Sequence, residues 1–133
     1  MRIIKYVLVL LTSFAISAQE HPPVMAYSPD SYGAQNQNWG ISQTSDQSMY
    51  FANNSGLLEY DGMNWKLYPV PNNSIVRSVK AIGDLVYTGS YMDFGVWKRN
   101  KTNVLKYTSL VKSLDIILVE DEQFWNIIKL DNW

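Results

Sequence analysis

One pattern returns along this chain at an interval of about 37 residues, and that interval restricts the fold more than any other feature. Met49-Tyr50-Phe51-Ala52 leads into Gly56-Leu57-Leu58-Glu59-Tyr60, and Val86-Tyr87-Thr88-Gly89 leads into Phe94-Gly95-Val96-Trp97. Gln123-Phe124-Trp125-Asn126 opens in the same way. Tyr50 and Tyr87 stand 37 positions apart, Tyr87 and Trp125 38, and an acidic residue precedes each: Asp46, Asp84 and Asp121. Short β-branched and aromatic runs alternate with turn signals through the same region, which is the pattern of an all-β domain. Each unit therefore predicts strand, acidic turn, aromatic strand, glycine-containing loop, strand, hairpin, strand. Four strands in about 40 residues is the size of one propeller blade. The expected fold class is all-β: an incomplete β-propeller, with two four-stranded blades at about 39–70 and 75–110 and the start of a third over 114–133. A single non-repetitive β-sandwich is the alternative.

Two hairpins are placed by their turn chemistry. Asp61-Gly62 separates Leu57–Tyr60 from Met63–Tyr68 and predicts a tight turn, because Asp-Gly tolerates positive φ. The polar loop Arg99–Asn103 joins a strand over Phe94–Lys98 to one over Val104–Thr108. A closed propeller takes roughly four to eight blades. Two blades and part of a third predict the opening piece of a longer molecule, since end units expose apolar surface.

The first eighteen residues, MRIIKYVLVLLTSFAISA, carry Arg2 and Lys5, then an apolar run, then small residues before Gln19. That order predicts a signal peptide over 1–18 and export to the periplasm. The apolar run is shorter than the ~20 residues of a membrane span, and no later segment predicts one. Residues 19–38, with Pro22, Pro23 and Pro29, predict an extended N-terminal arm.

Composition narrows the function classes. With Arg2 and Lys5 removed, the 11 basic residues fall to 9 against 12 acidic, so nucleic-acid binding by this segment is not expected. The absence of cysteine excludes disulfides, thiolate metal sites and a cysteine nucleophile. His21 is the one histidine and stands in the polar arm, away from the rigid partners that a triad or metal site requires. Glu120-Asp121-Glu122 reads as a solvated turn, because a contiguous triplet points its side chains apart. No phosphate-binding, dinucleotide-binding or nucleophile-elbow motif occurs. No catalytic residue, cofactor or metal is expected.

Polar loops offer the candidate ligand contacts. Asn53 and Asn54 lie in Asn53-Asn54-Ser55-Gly56 and Asn73 in Asn72-Asn73-Ser74, where asparagine also serves simply as a turn former. Tyr91 and Asp93, in Tyr91-Met92-Asp93-Phe94, combine a ring for stacking with a carboxylate for hydroxyls, the pairing that suits a sugar. Trp39, Trp65, Trp97 and Trp125 fall on predicted strands and read as packing between blades.

Several stretches resemble the start of two-component-regulator propeller sensors. They are Tyr27-Ser28-Pro29, Tyr32-Gly33-Ala34-Gln35-Asn36-Gln37-Asn38-Trp39-Gly40-Ile41, Tyr50 to Gly62, Pro71-Asn72-Asn73-Ser74-Ile75-Val76-Arg77-Ser78, and Thr88 to Gly95. The resemblance implies an array of periplasmic blades, a small β-sandwich with a triple-tyrosine motif and a transmembrane helix anchoring the parent protein in the inner membrane. It implies a histidine-kinase or helix-turn-helix output, and an environmental sensor of polysaccharide-derived ligands. The expected partners are an oligosaccharide and the remaining blades. The alternatives are a propeller-type glycan-active enzyme and a structural adhesion module.

Overall fold

A computed structural model describes residues 22–130. The signal-peptide expectation for 1–18 and His21 lie outside the described residues. The chain forms two antiparallel four-stranded sheets, so the all-β expectation holds. Sheet I contains β1 (Asn38–Gln43), β2 (Met49–Asn53), β3 (Gly56–Tyr60) and β4 (Trp65–Tyr68). Sheet II contains β5 (Val76–Ile82), β6 (Leu85–Ser90), β7 (Phe94–Arg99) and β8 (Leu105–Ser109). In both, sequence neighbours are sheet neighbours. Two single helical turns flank them, α1 (Pro29–Tyr32) before sheet I and α2 (Leu110–Ser113) after sheet II. The arm is therefore not extended throughout: Pro29 starts a turn that Gly33 ends at φ 67°. No helix among the described residues is long and apolar enough to cross a membrane.

The two sheets repeat each other in detail. Each first strand carries a bulge, between Asn38 and Gly40 in β1 and between Val76 and Ser78 in β5. The extra residues are Trp39 and Arg77, 38 positions apart. Tyr50 faces the inter-sheet core from β2. One repeat later, Tyr87 pairs with Lys80 and Val96. It lies on the face of sheet II turned away from Val86 and Trp97, which belong to that core. The two tyrosines thus point the same way along the repeat.

The core lies between the sheets. Tyr50, Ala52 and Leu57 come from sheet I, Val76, Val79, Val86, Trp97 and Leu105 from sheet II, and Val70 from the segment between the sheets. β1 runs beside β5: Gly40 faces the Val79 side chain, and the Ser42 hydroxyl accepts the Ala81 N–H at 2.9 Å. Both strands therefore run in the same direction, and equivalent loops of the two sheets share one end.

Within this core sits an ionic contact. Glu59 on β3 is 1% exposed, and its carboxylate pairs with the Arg99 guanidinium at the end of β7. It also accepts the Tyr68 hydroxyl at 2.9 Å and the Tyr50 hydroxyl at 3.3 Å, while Arg99 donates to the Tyr50 oxygen at 2.9 Å. A buried carboxylate needs such partners. Burial raises Arg99's desolvation cost, yet the bond to Glu59 outweighs it and holds the guanidinium charged more firmly than usual.

The outer face of sheet I is partly covered by the arm. Tyr60 stacks on Trp65 at 4.5 Å, and Tyr27, Tyr32 and Phe51 pack round the same indole at 5.2–5.5 Å. The Tyr27 and Tyr60 hydroxyls meet at 2.7 Å.

Two expectations need correction. The Asp61-Gly62 hairpin is not a two-residue turn. Tyr60 pairs with Trp65, so the loop holds residues 61–64. Asp61 lacks the positive φ that a primed turn demands, and its carboxylate instead accepts the N–H groups of Met63 (3.0 Å) and Asn64 (2.7 Å). The third unit also differs. No strand follows Ser109 among the described residues; α2 is followed by irregular chain with one bridge, Tyr91 to Gln123. Trp125 does not occupy the place of Tyr50 and Tyr87. It sits at the bulges, with its ring 5.7 Å from Trp39 and under Arg77.

Candidate functional site: the loop end around Arg77

The bulges decide which side chains reach this end of the molecule. A bulge leaves one residue outside the ladder and re-aims it. Trp39 and Arg77 are those residues, and side-by-side packing of β1 and β5 brings them together. The Arg77 guanidinium carbon lies 4.3 Å from the Trp39 ring centroid and 4.8 Å from that of Trp125. Both indoles remain exposed, at 41% and 48%. The Trp39 N–H is fixed by a 2.7 Å bond to the Asn54 side-chain carbonyl, and the Arg77 Nε donates to the Gln123 side chain at 3.2 Å.

Residues 122–125 reach this place by docking on sheet II. Met92 N–H donates to the Glu122 carbonyl and Phe124 N–H to the Ser90 carbonyl. The Ser78 hydroxyl donates to the Phe124 carbonyl at 2.7 Å, and Phe124 packs on Phe94 at 4.7 Å. Gly89 makes the approach possible, because a Cβ there would collide with both Phe124 and Ser78.

A cavity of about 270 Å³ opens beside the cluster, lined by Ser74, Ile75, Arg77, Tyr91 and Gln123. Rings that are partly exposed, a guanidinium and amide groups are the set that takes a sugar: stacking from one, hydrogen bonds from the others.

The structure separates the five candidate residues. Tyr91 lines the cavity; its hydroxyl donates to Asp121 at 2.9 Å and its carbonyl accepts from Asn72 at 3.0 Å, so the ring is held at both ends. Asp121 and the bond to it hold the Tyr91 hydroxyl proton more tightly than usual. Asn54 supports the site through Trp39 and through a 3.1 Å bond to the Gln35 side chain. Asn73 is exposed at the tip of the β4–β5 turn at φ 51°, the conformation asparagine tolerates, and is outside the cavity lining.

Asn53 and Asp93 are internal fasteners. Asn53 is fully buried: it donates to the Gln35 carbonyl (2.7 Å) and the Asn38 side chain (2.8 Å), and accepts the Ser55 N–H (2.8 Å). Asp93 accepts the Ser109 hydroxyl at 2.6 Å and the Tyr107 hydroxyl at 3.0 Å, which ties the β6–β7 loop to β8. Burial and then the Asp93 charge push the Tyr107 phenol well above its ordinary range. Neither residue is in the cavity lining: Asn53 fastens the arm and β1 to its loop, and Asp93 fastens β8 to its own.

Sequence reasoning took Trp39 and Trp125 as packing and passed over Arg77 and Gln123. One signal was available. Laying Asn38-Trp39-Gly40-Ile41-Ser42 against Val76-Arg77-Ser78-Val79-Lys80 puts Trp39 and Arg77 in register at the strand entrance. The chain matches no family model, no curated protein and no solved structure.

Proposed function

We propose that the two sheets are successive blades of a β-propeller, and that the chain is the opening part of an exported, ligand-sensing domain of a bacterial signal-transduction regulator. The ligand is of carbohydrate type, and the domain acts by binding rather than by catalysis. Further blades complete the ring in the periplasm, and the parent protein is anchored in the inner membrane. The observation that carries this reading is the pair of bulges one repeat apart, which place Trp39 and Arg77 together at one end of the inner strands. The resemblance to propeller sensors supports the signalling role, and the exposed indoles beside Arg77 support a sugar as ligand.

A glycan array probed with the full chain tests it. Binding to one group of structurally related oligosaccharides is expected, with loss of binding in Trp39→Ala. Absence of binding to every saccharide on the array overturns the carbohydrate reading.

A further inference from the structure

We propose that Arg77 anchors a site for an oxyanion carried on a sugar, the carboxylate or sulfate group of an acidic oligosaccharide. This rests on the carbohydrate reading above and narrows it. A guanidinium has five N–H donors and no way to lose its charge at ordinary pH. Arg77 uses its Nε on Gln123, and no described residue accepts from either terminal nitrogen. No described carboxylate forms an ion pair with it either. The other half-buried arginine, Arg99, is satisfied by Glu59 and by the Asn103 carbonyl. Arg77 is also only partly exposed, but two indoles and an amide flank it in place of an anion.

Such an arrangement fixes the direction of the guanidinium and leaves its terminal nitrogens available. A planar fork with two parallel donors matches the paired oxygens of a carboxylate or sulfate better than isolated hydroxyls. The rest of the cavity suits the sugar that bears the group. Tyr91 is 43% exposed and lines the cavity with its ring available for stacking, and Ser74 and Gln123 add polar atoms. Asp121 holds Tyr91 from outside the lining, so no carboxylate is among the residues that line the cavity. The volume is near the small end of ligand pockets, ~300 Å³, which suits one sugar unit with its acidic substituent.

The test compares three probes on the full chain, by calorimetry and by indole fluorescence: a trigalacturonate, a sulfated chondroitin tetrasaccharide and a neutral galactotriose. One acidic probe is expected to bind at least about tenfold more tightly than the neutral one, as a charge-assisted pair allows. Which of the two does so assigns carboxylate or sulfate. That advantage shrinks as salt is raised. Arg77→Gln brings the acidic affinity down to that of the neutral probe measured on the same variant, while Arg77→Lys keeps part of the difference between the two. The comparison of probes and its salt dependence need no variant, so a folding defect in Arg77→Gln does not blunt the test. If the neutral probe binds as well as both acids, or Arg77→Gln leaves the acidic affinity intact, the inference falls and the carbohydrate reading stands. If the array finds no saccharide at all, both fall together.

Discussion

Tyr50 shows how a single side chain joins the repeat to the core. Its position in β2 is set by the strand pattern, but its chemistry depends on its cross-strand partner Glu59 and on Arg99, 49 residues along the chain. Burial, and then the negative charge of Glu59, push its phenol up to about 12 from an ordinary 10.0. The folded protein therefore holds that proton more tightly than the unfolded chain does. The stabilisation this represents is complete below pH 10 and disappears as pH rises to about 12. Tyr68 is shifted in the same direction, by burial first and then by its bond to Glu59, so the alkaline loss is shared. Urea midpoints measured from neutral pH to pH 12 are expected to fall across that window, and to fall less steeply in Tyr50→Phe. Identical pH profiles for the two proteins would show that Tyr50 titrates alike in both states. Neither the burial of Glu59 nor the charge of Arg99 beside it is a pattern in the sequence. Both arise only when β3 of one sheet meets β7 of the other.

Among the elements, strands were more legible than turns. Alternating β-branched and aromatic runs located six of the eight strands, the repeat order implied a first strand in each unit, and Arg99–Asn103 was recognisable as a loop because its polar residues interrupt the pattern. The Asp61-Gly62 turn was misjudged because Asp61 has a second use, accepting backbone N–H groups from within a four-residue loop. Asn53 has a use that the sequence does not display: its amide becomes a fastener only when the arm folds back and brings up Gln35. The segment after α2 was the least legible. Its Trp125 matched the aromatic spacing by count, yet its contacts place it with the bulged residues of the first strands. What decides its position is the bare backbone of Gly89, against which Phe124 closes. Gly89→Val is therefore expected to displace residues 122–127 without unfolding either sheet. The readout is Trp125: greater fluorescence quenching by an added neutral quencher and faster proteolysis after residue 114, with the far-ultraviolet spectrum of the sheets retained. Unchanged protection of that segment would mean that Gly89 is not what admits it.

At the scale of the whole molecule, neither sheet is a folding unit alone. A four-stranded sheet buries its apolar face only against another layer, and the layer available to each sheet is the other one. Tyr50, Ala52 and Leu57 have no cover without Val79, Val86 and Trp97. The ion pair works in the same direction, since separating the sheets leaves Glu59 without Arg99. Trp97 lies at the centre of this arrangement, 3% exposed, with its ring against Tyr68 of sheet I and Tyr107 of sheet II and its N–H bonded to Thr88 at 2.8 Å. Truncating such a side chain costs about 3–5 kcal/mol through lost transfer energy and the cavity left behind. Because the cost falls on a shared interface, Trp97→Ala is expected to lower hydrogen-exchange protection in β2 and β3 by as much as in β6 and β7. A loss confined to sheet II would mean that the two sheets open independently, and that the layer between them contributes less than its burial implies. Joint loss in both sheets makes the pair, not the single repeat, the smallest part of this chain that holds its shape. It also makes the contact of Trp39 with Arg77 a property of that pair, since each sheet supplies one of the two residues.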